Sequence, residues 1–148
     1  MKLRLPYILR CALLAAFIFP AQAALTWNSG SWNTTDASWL QDGVLAVFSR
    51  DDAVEFTNDA AGFQVTITEM VAPSSVLVSG QGYIFEGSGS ISGETSLVLE
   101  SGAGLHVQNS NAFTGGTIVN DGATLTLSQY DSIGSVNAGE RALGMLSG

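Results

Sequence analysis

Apolar and polar residues alternate along much of the chain from residue 62 to residue 128, and the pattern returns after about 20 residues. Alternation at every second position is typical of a β-strand with one buried face. Written in rows of this length, the segment has an apolar column made of Val65, Phe85, Leu105 and Leu125. A strand pattern that repeats in this way indicates stacked coils rather than one isolated sheet. We therefore predict an all-β fold, a parallel β-solenoid in which these four side chains stack in one interior column.

Three more interior columns follow from the same rows. Glycines separate the strand segments, as at Gly102 and Gly104, and glycine permits the positive φ angles that the corners of a coil require. Because side chains on a strand alternate between its two faces, a shift of one residue would turn a whole column to solvent. The predicted columns are Ile67, Gly87, Val107 and Leu127; Leu77, Leu97 and Thr117; and Ser79, Leu99 and Val119.

Residues 24–61 do not follow the rows and contain all three tryptophans of the chain, Trp27, Trp32 and Trp39. We predict that this segment is an N-terminal cap, because the first coil of a solenoid exposes an apolar cross-section that has to be covered. An alternative hypothesis is a carbohydrate-binding module, in which these three indoles stack on the sugar rings of a glycan.

The segment 1–23 has the three parts of a secretory signal peptide. A basic start with Lys2, Arg4 and Arg10 precedes the apolar run 11–19, and the small-residue segment 21–23 ends in a cleavage site. The apolar run is too short for a membrane-spanning helix, which needs about 20 residues. We predict cleavage after Ala23, so the exported mature chain would have no membrane span and no cysteine.

The other end of the chain loses the strand pattern. We assign the repeats to residues 62–135 and expect 136–148 to be an irregular, truncated tail, in which Leu143, Met145 and Leu146 form at most a weak cap. The last regular row then leaves unpaired strand edges and an apolar cross-section. Such an edge is a template for pairing with another chain. We therefore expect the isolated chain either to be marginally stable or to associate end to end, with association that increases with salt.

Charge narrows the range of partners. The chain has a net charge of −8, and after loss of the signal peptide Arg50 and Arg141 remain against 13 acidic residues, a net charge of −11. Such a surface repels phosphate groups, so nucleic acid and anionic lipid are poor candidates as partners.

Catalytic and metal-binding patterns are not found in the sequence. The one histidine, His106, lies between two inward positions and is expected to face outward without a catalytic partner. One histidine without a mature cysteine does not suit a zinc site. A glycan-active β-helix enzyme, the weaker alternative, would need clustered carboxylates. The rows instead place Glu86 beside His106, and Glu100 beside Asn120. We expect no enzyme, no cofactor and no metal.

Residues 111–127 closely resemble the autotransporter-associated β-strand repeat. The resemblance rests on an asparagine, an aromatic residue, the run Thr114-Gly115-Gly116-Thr117, a strand, a glycine turn and the final Leu-Thr-Leu of residues 125–127. The Trp-rich start, the acidic segment 51–56 and the segment 71–76 resemble the region that often precedes the first repeat in that family.

The resemblance implies a right-handed β-helix passenger, exported to the surface or surroundings of a Gram-negative-type bacterium. The resemblance itself implies no chemistry, because a fold does not determine a function. Our own hypothesis is a structural or adhesive role that is not enzymatic, with cell-surface glycans or further copies of the chain as candidate partners. Members of the family usually have many more repeats and an outer-membrane translocator barrel or another anchoring tail. A barrel needs at least eight strands of about 10 residues, which the residues after Leu127 could not supply. We therefore expect this chain to be a fragment of such a passenger.

Overall fold

The computed structural model describes residues 23–129 and residue 133. All regular elements in this range are β-strands, numbered here in chain order. The body of the predicted signal peptide and the predicted tail 136–148 lie outside the described residues. The strands are β1 (Leu25–Trp27), β2 (Gly30–Trp32), β3 (Trp39–Gln41), β4 (Val44–Ala46), β5 (Ala53–Phe56), β6 (Gln64–Ile67), β7 (Met70–Val71), β8 (Ser75–Val78), β9 (Tyr83–Glu86), β10 (Ser90–Ile91), β11 (Ser96–Leu99), β12 (Gly104–Val107), β13 (Thr117–Val119) and β14 (Thr124–Leu127).

These strands form three sheets on the sides of a coil that turns about four times. Sheet I has the order β13-β11-β8-β5-β1-β3-β4, sheet II the order β14-β12-β9-β6-β2, and sheet III consists of β10 and β7. From β5 onward the chain passes from sheet I to II to III and back, and stacked strands are parallel. The predicted all-β parallel β-solenoid is confirmed. At the N-terminal end of sheet I, β3 and β4 add an antiparallel hairpin.

The register of sheet II departs from the predicted rows at one step. Val65 is paired with Phe85, and Leu105 with Leu125, as predicted. Between β9 and β12, however, the coil is longer than the rows by two positions, so Phe85 is paired with Val107. The predicted continuous column through Phe85 and Leu105 is therefore wrong, and the second predicted column fails at the same step. Because a shift by two positions preserves the alternation, Phe85, Leu105 and Val107 still point into the solenoid. Gly87, which the rows placed in the interior, is exposed.

The register of sheet I departs from the rows by a single position, with a larger effect. Leu97 is paired with Thr117 as predicted, but the coil between β8 and β11 is longer by one position, so Leu97 is paired with Val76. Val76 and Val78 are 1% and 0% exposed, whereas Leu77 between them faces outward. The predicted interior position of Leu77 is wrong, because an odd shift exchanges the two faces of a strand. The fourth predicted column shifts by the same single position.

Corners between the sheets need glycine for close contact. Gly89 precedes β10, and its N–H donates a hydrogen bond to the carbonyl oxygen of Ile67 at 2.8 Å. A methyl group at this position would collide with the backbone of Glu69 in the coil below. The glycine is therefore required by the approach of two backbones and not only by its conformational freedom.

Two buried asparagines satisfy the backbone at the third side of the next coil. Asn111 accepts a hydrogen bond from the N–H of Ile91 through Oδ1 at 2.7 Å, with a sequence separation of 20. Asn109 donates through Nδ2 to the carbonyl oxygen of Gly89 and to Asn111 Oδ1, both at 3.0 Å. Side-chain amides here replace a third strand of sheet III, so the backbone groups of this corner have partners.

Candidate functional site

The three tryptophans lie inside the protein. Trp27, Trp32 and Trp39 are each 0% exposed. Trp39 packs edge-on against Trp27, with ring centroids 4.9 Å apart, and against Trp32 at 5.1 Å. Trp27 Nε1 donates to the carbonyl oxygen of Gly62 at 2.9 Å. Such edge-to-face packing stabilises a core, and it leaves no indole face at the surface on which a sugar ring could stack.

The outer face of sheet I carries a line of side chains that we call the apolar column. Strand pairing places these side chains next to one another across all seven strands of the sheet. All of them lie on the outward parity, opposite to the buried positions. In order from the N-terminal end, the apolar column consists of Leu45, Leu40, Thr26, Glu55, Leu77, Val98 and Ile118.

Five of the seven members of the apolar column are large hydrocarbon side chains, and its two ends are the most open. Leu45 is 60% exposed at one end, and Ile118 is 49% exposed at the other. Six steps of about 4.8 Å between strands give the column a length of roughly 29 Å. Aligned outward apolar side chains, interrupted here by Thr26 and Glu55, are a feature of contact surfaces, because single exposed apolar residues are ordinary but aligned ones are not.

This surface is not visible in the predicted rows, because they placed Leu77 inside. The sequence does contain a signal for this surface, namely the second alternating set formed by Val76 and Val78. If the coil is lengthened by one position, these two valines align with Leu97 and its face of the strand, and Leu77 turns outward. Apolar residues at both parities of β8 and β11 make the inward face ambiguous in the sequence alone.

The outer face of sheet II is polar instead. Glu86 accepts a hydrogen bond from Gln64 Nε2 at 2.7 Å, and Gln129 Nε2 donates to the carbonyl oxygen of Gln108 at 3.0 Å. Because β9 and β12 are paired at the longer spacing, His106 lies beside Ile84 and not beside Glu86. The prediction that Glu86 lies beside His106 is therefore wrong.

His106 and Ser128 form the one pair on this face that invites a catalytic interpretation. His106 Nε2 is 2.8 Å from Ser128 Oγ, and Gln108 Nε2 is 3.5 Å from His106 Nδ1. The direction of the His106–Ser128 hydrogen bond follows the tautomer of the imidazole. Neither ring contact is with a carboxylate, the group that orients the base of a catalytic triad and stabilises its imidazolium form.

Carboxylates are dispersed over the surface. Among residues 23–129 and residue 133 we find no group of three or more His, Cys, Asp or Glu side chains that could hold a metal ion. Within the same range Arg50 and Asp51 form an exposed ion pair at 4.0 Å. In the described part of the chain no helix has the length and hydropathy of a membrane-spanning segment.

Tyr83 is the one described group whose ionisation the fold clearly changes. Its hydroxyl donates a hydrogen bond to the carbonyl oxygen of Thr57 at 2.5 Å, and its ring packs against Phe56 and Phe63. Burial, and to a smaller extent the negative charge of Asp59, raises the pKa of Tyr83 to about 12. The phenol is therefore a neutral structural donor at physiological pH and not an acid or base for catalysis.

Comparisons of the chain with protein-family models, with curated proteins and with solved structures found no match.

Proposed function

We propose that the chain is an exported, non-enzymatic β-solenoid with a structural or adhesive role at the surface of a Gram-negative-type cell. The observation that carries this proposal is the apolar column on the outer face of sheet I, which presents Leu77, Val98 and Ile118 in line. A line of outward apolar side chains on a sheet suits contact with another surface better than capture of a small molecule, which requires a concave pocket.

Two features of the sequence support export. The segment 1–23 has the pattern of a secretory signal peptide, and the segment 111–127 resembles a repeat of autotransporter passengers. A cysteine-free mature chain that is stabilised by stacked coils suits the outside of a cell, where it would not depend on disulfide formation.

The side chains on the outer faces favour contact over chemistry. Sheet II presents amides, hydroxyls and Glu86, and the side chains that contact His106 there are Ser128 and Gln108, neither of which is a carboxylate that would support base catalysis. The buried tryptophans provide no open stacking surface, so no observation favours the glycan-binding module over the adhesive role.

Expression of the full chain in a Gram-negative host tests the proposal. The N-terminus of the exported protein is sequenced, and adherence of the cells is measured on apolar and glycan-coated surfaces. Leu77→Lys places a charge in the apolar column, and Ile84→Lys is the matched control on the outer face of sheet II. We expect a mature N-terminus at Ala24, with adherence that Leu77→Lys abolishes and Ile84→Lys retains.

Three outcomes would contradict the proposal. An exported protein that retains Met1 would show that the segment 1–23 is not a cleaved signal peptide. An exported chain that does not change the adherence of the cells would contradict the adhesive role. Adherence only to glycans, equally strong in both variants, would instead favour a carbohydrate-binding module.

A further inference from the structure

One charge interrupts the apolar column, and it lies at the centre. Glu55 is the fourth of the seven side chains, with Thr26 on one side and Leu77 on the other. Its carboxylate makes no ion pair within 4.0 Å in the described part of the chain, where Arg50 pairs with Asp51 instead. A charged side chain in the middle of a column with five large apolar members needs an explanation, because Val or Thr would suit this strand position better.

The position of Glu55 matters when two copies of the solenoid meet face to face. A two-fold axis parallel to the column brings every side chain opposite its own counterpart. A two-fold axis across the column brings Ile118 opposite Leu45 and Val98 opposite Leu40 when the two columns overlap fully. In both arrangements Glu55 faces Glu55 of the second copy. Complete overlap of the apolar columns is therefore impossible without placing two carboxylates together.

We propose that Glu55 prevents a second copy of this chain from packing on the apolar column. Apart from this carboxylate the column is self-complementary, since the antiparallel arrangement places Leu77 opposite Thr26 and apolar side chains opposite one another elsewhere. Two like charges a few ångströms apart in a partly desolvated interface repel strongly, and the apolar contacts on either side prevent their separation. Natural sheets use charged residues in this manner against unwanted association.

The apolar column is small enough that the charge of Glu55 can decide whether two copies associate through it. A strip roughly 29 Å long and about 10 Å wide, the width of three residues of strand, covers about 300 Å² of each copy. A stable interface buries about 800 Å² on each partner. Self-association through this face alone is therefore weak, and repulsion between two carboxylates is enough to suppress it. The proposal concerns association in solution and does not depend on the adhesive role.

Sedimentation equilibrium of the purified exported chain over a range of concentrations tests the proposal. Glu55→Gln and Glu55→Thr each remove the charge, and Thr also suits a strand. Glu86→Gln is the matched control, because it removes one negative charge from the outer face of sheet II. We expect both Glu55 variants to dimerise with a dissociation constant lower than that of the wild type by roughly tenfold or more. Glu86→Gln should associate like the wild type.

A double variant identifies the face that associates. Adding Leu77→Lys to Glu55→Gln should return the association to the level of the wild type, because it places a new charge in the same strip. Circular dichroism of each variant confirms the fold. The proposal is overturned if both Glu55 variants associate like the wild type, if Glu86→Gln associates as strongly as they do, or if Leu77→Lys leaves the dimer of Glu55→Gln intact.

Discussion

The hydroxyl of Tyr83 donates a hydrogen bond of 2.5 Å to the carbonyl oxygen of Thr57, a residue 26 positions earlier in the chain. This contact ties β9 in sheet II to the end of β5 in sheet I, across the interior of the solenoid. The same burial that fixes the contact raises the pKa of the phenol to about 12, with Asp59 as the smaller cause.

Stability should therefore fall in alkaline solution as the pH rises from about 10 to about 12. In this range the unfolded chain releases the proton of Tyr83 while the folded chain retains it, so ionisation favours unfolding. With 1.36 kcal/mol for each pKa unit, the loss reaches about 2–3 kcal/mol above pH 12 and is absent below pH 10. Urea unfolding at a series of pH values measures it. Tyr83→Phe should be less stable at neutral pH but have a flatter alkaline dependence, and an equally steep dependence in this variant would contradict the assignment.

Replacement of Gly89 by alanine should destabilise the protein by about 1–3 kcal/mol or more, because the new methyl group overlaps the backbone of Glu69 in the coil below. Gly62→Ala is the control, since its methyl group would meet Ser29 Cβ at an ordinary 3.4 Å. Chemical denaturation of both variants provides the comparison, with a change of less than about 0.5 kcal/mol expected for Gly62→Ala. Equal effects would indicate that backbone contact between coils is not what selects glycine.

Asn111→Ala should cost about 1–3 kcal/mol, because it leaves the buried N–H of Ile91 without its acceptor. Asn120 provides a control, since its side chain also bonds to the backbone of the neighbouring coil but is exposed: its Nδ2 donates to the carbonyl oxygen of Leu99 at 2.9 Å. Asn120→Ala should cost less, because water replaces the lost bond. Denaturation midpoints in which the two variants are indistinguishable would show that the buried amide does not stabilise the corner.

The buried tryptophans should be protected from a neutral quencher of fluorescence. Because Trp27, Trp32 and Trp39 are all 0% exposed, we expect acrylamide to quench the native emission several-fold less efficiently than that of the urea-unfolded chain. Neutral sugars should leave the native spectrum unchanged. Quenching near the unfolded level, or a saturable response to a sugar, would mean that an indole is open to solvent.

The period of about 20 residues and the alternation of apolar and polar positions were enough to predict the all-β solenoid, because stacked coils repeat both patterns. Val65 and Phe85 show the success of this approach, since they pair at the predicted spacing. Leu77 shows the limit of this approach, since some coils are longer than the predicted rows by one or two residues. The position of these extra residues depends on the conformation of the corners, which the repeat pattern does not contain. Leu77 and Val98 are as hydrophobic as their buried neighbours, so composition did not reveal which parity faces solvent. The apolar column and the central position of Glu55 therefore became visible only with the register.

The most direct test of this account is the reactivity of thiols introduced into β8. The predicted mature chain contains no cysteine, so Leu77→Cys and Val78→Cys each provide one defined probe. Labelling of the native protein with a maleimide reagent is compared with labelling in urea. The register found here predicts rapid native labelling of Leu77→Cys and protection of Val78→Cys until the protein unfolds. Rapid labelling at residue 78 with protection at residue 77 would restore the uniform register of the predicted rows and remove the apolar column from the surface.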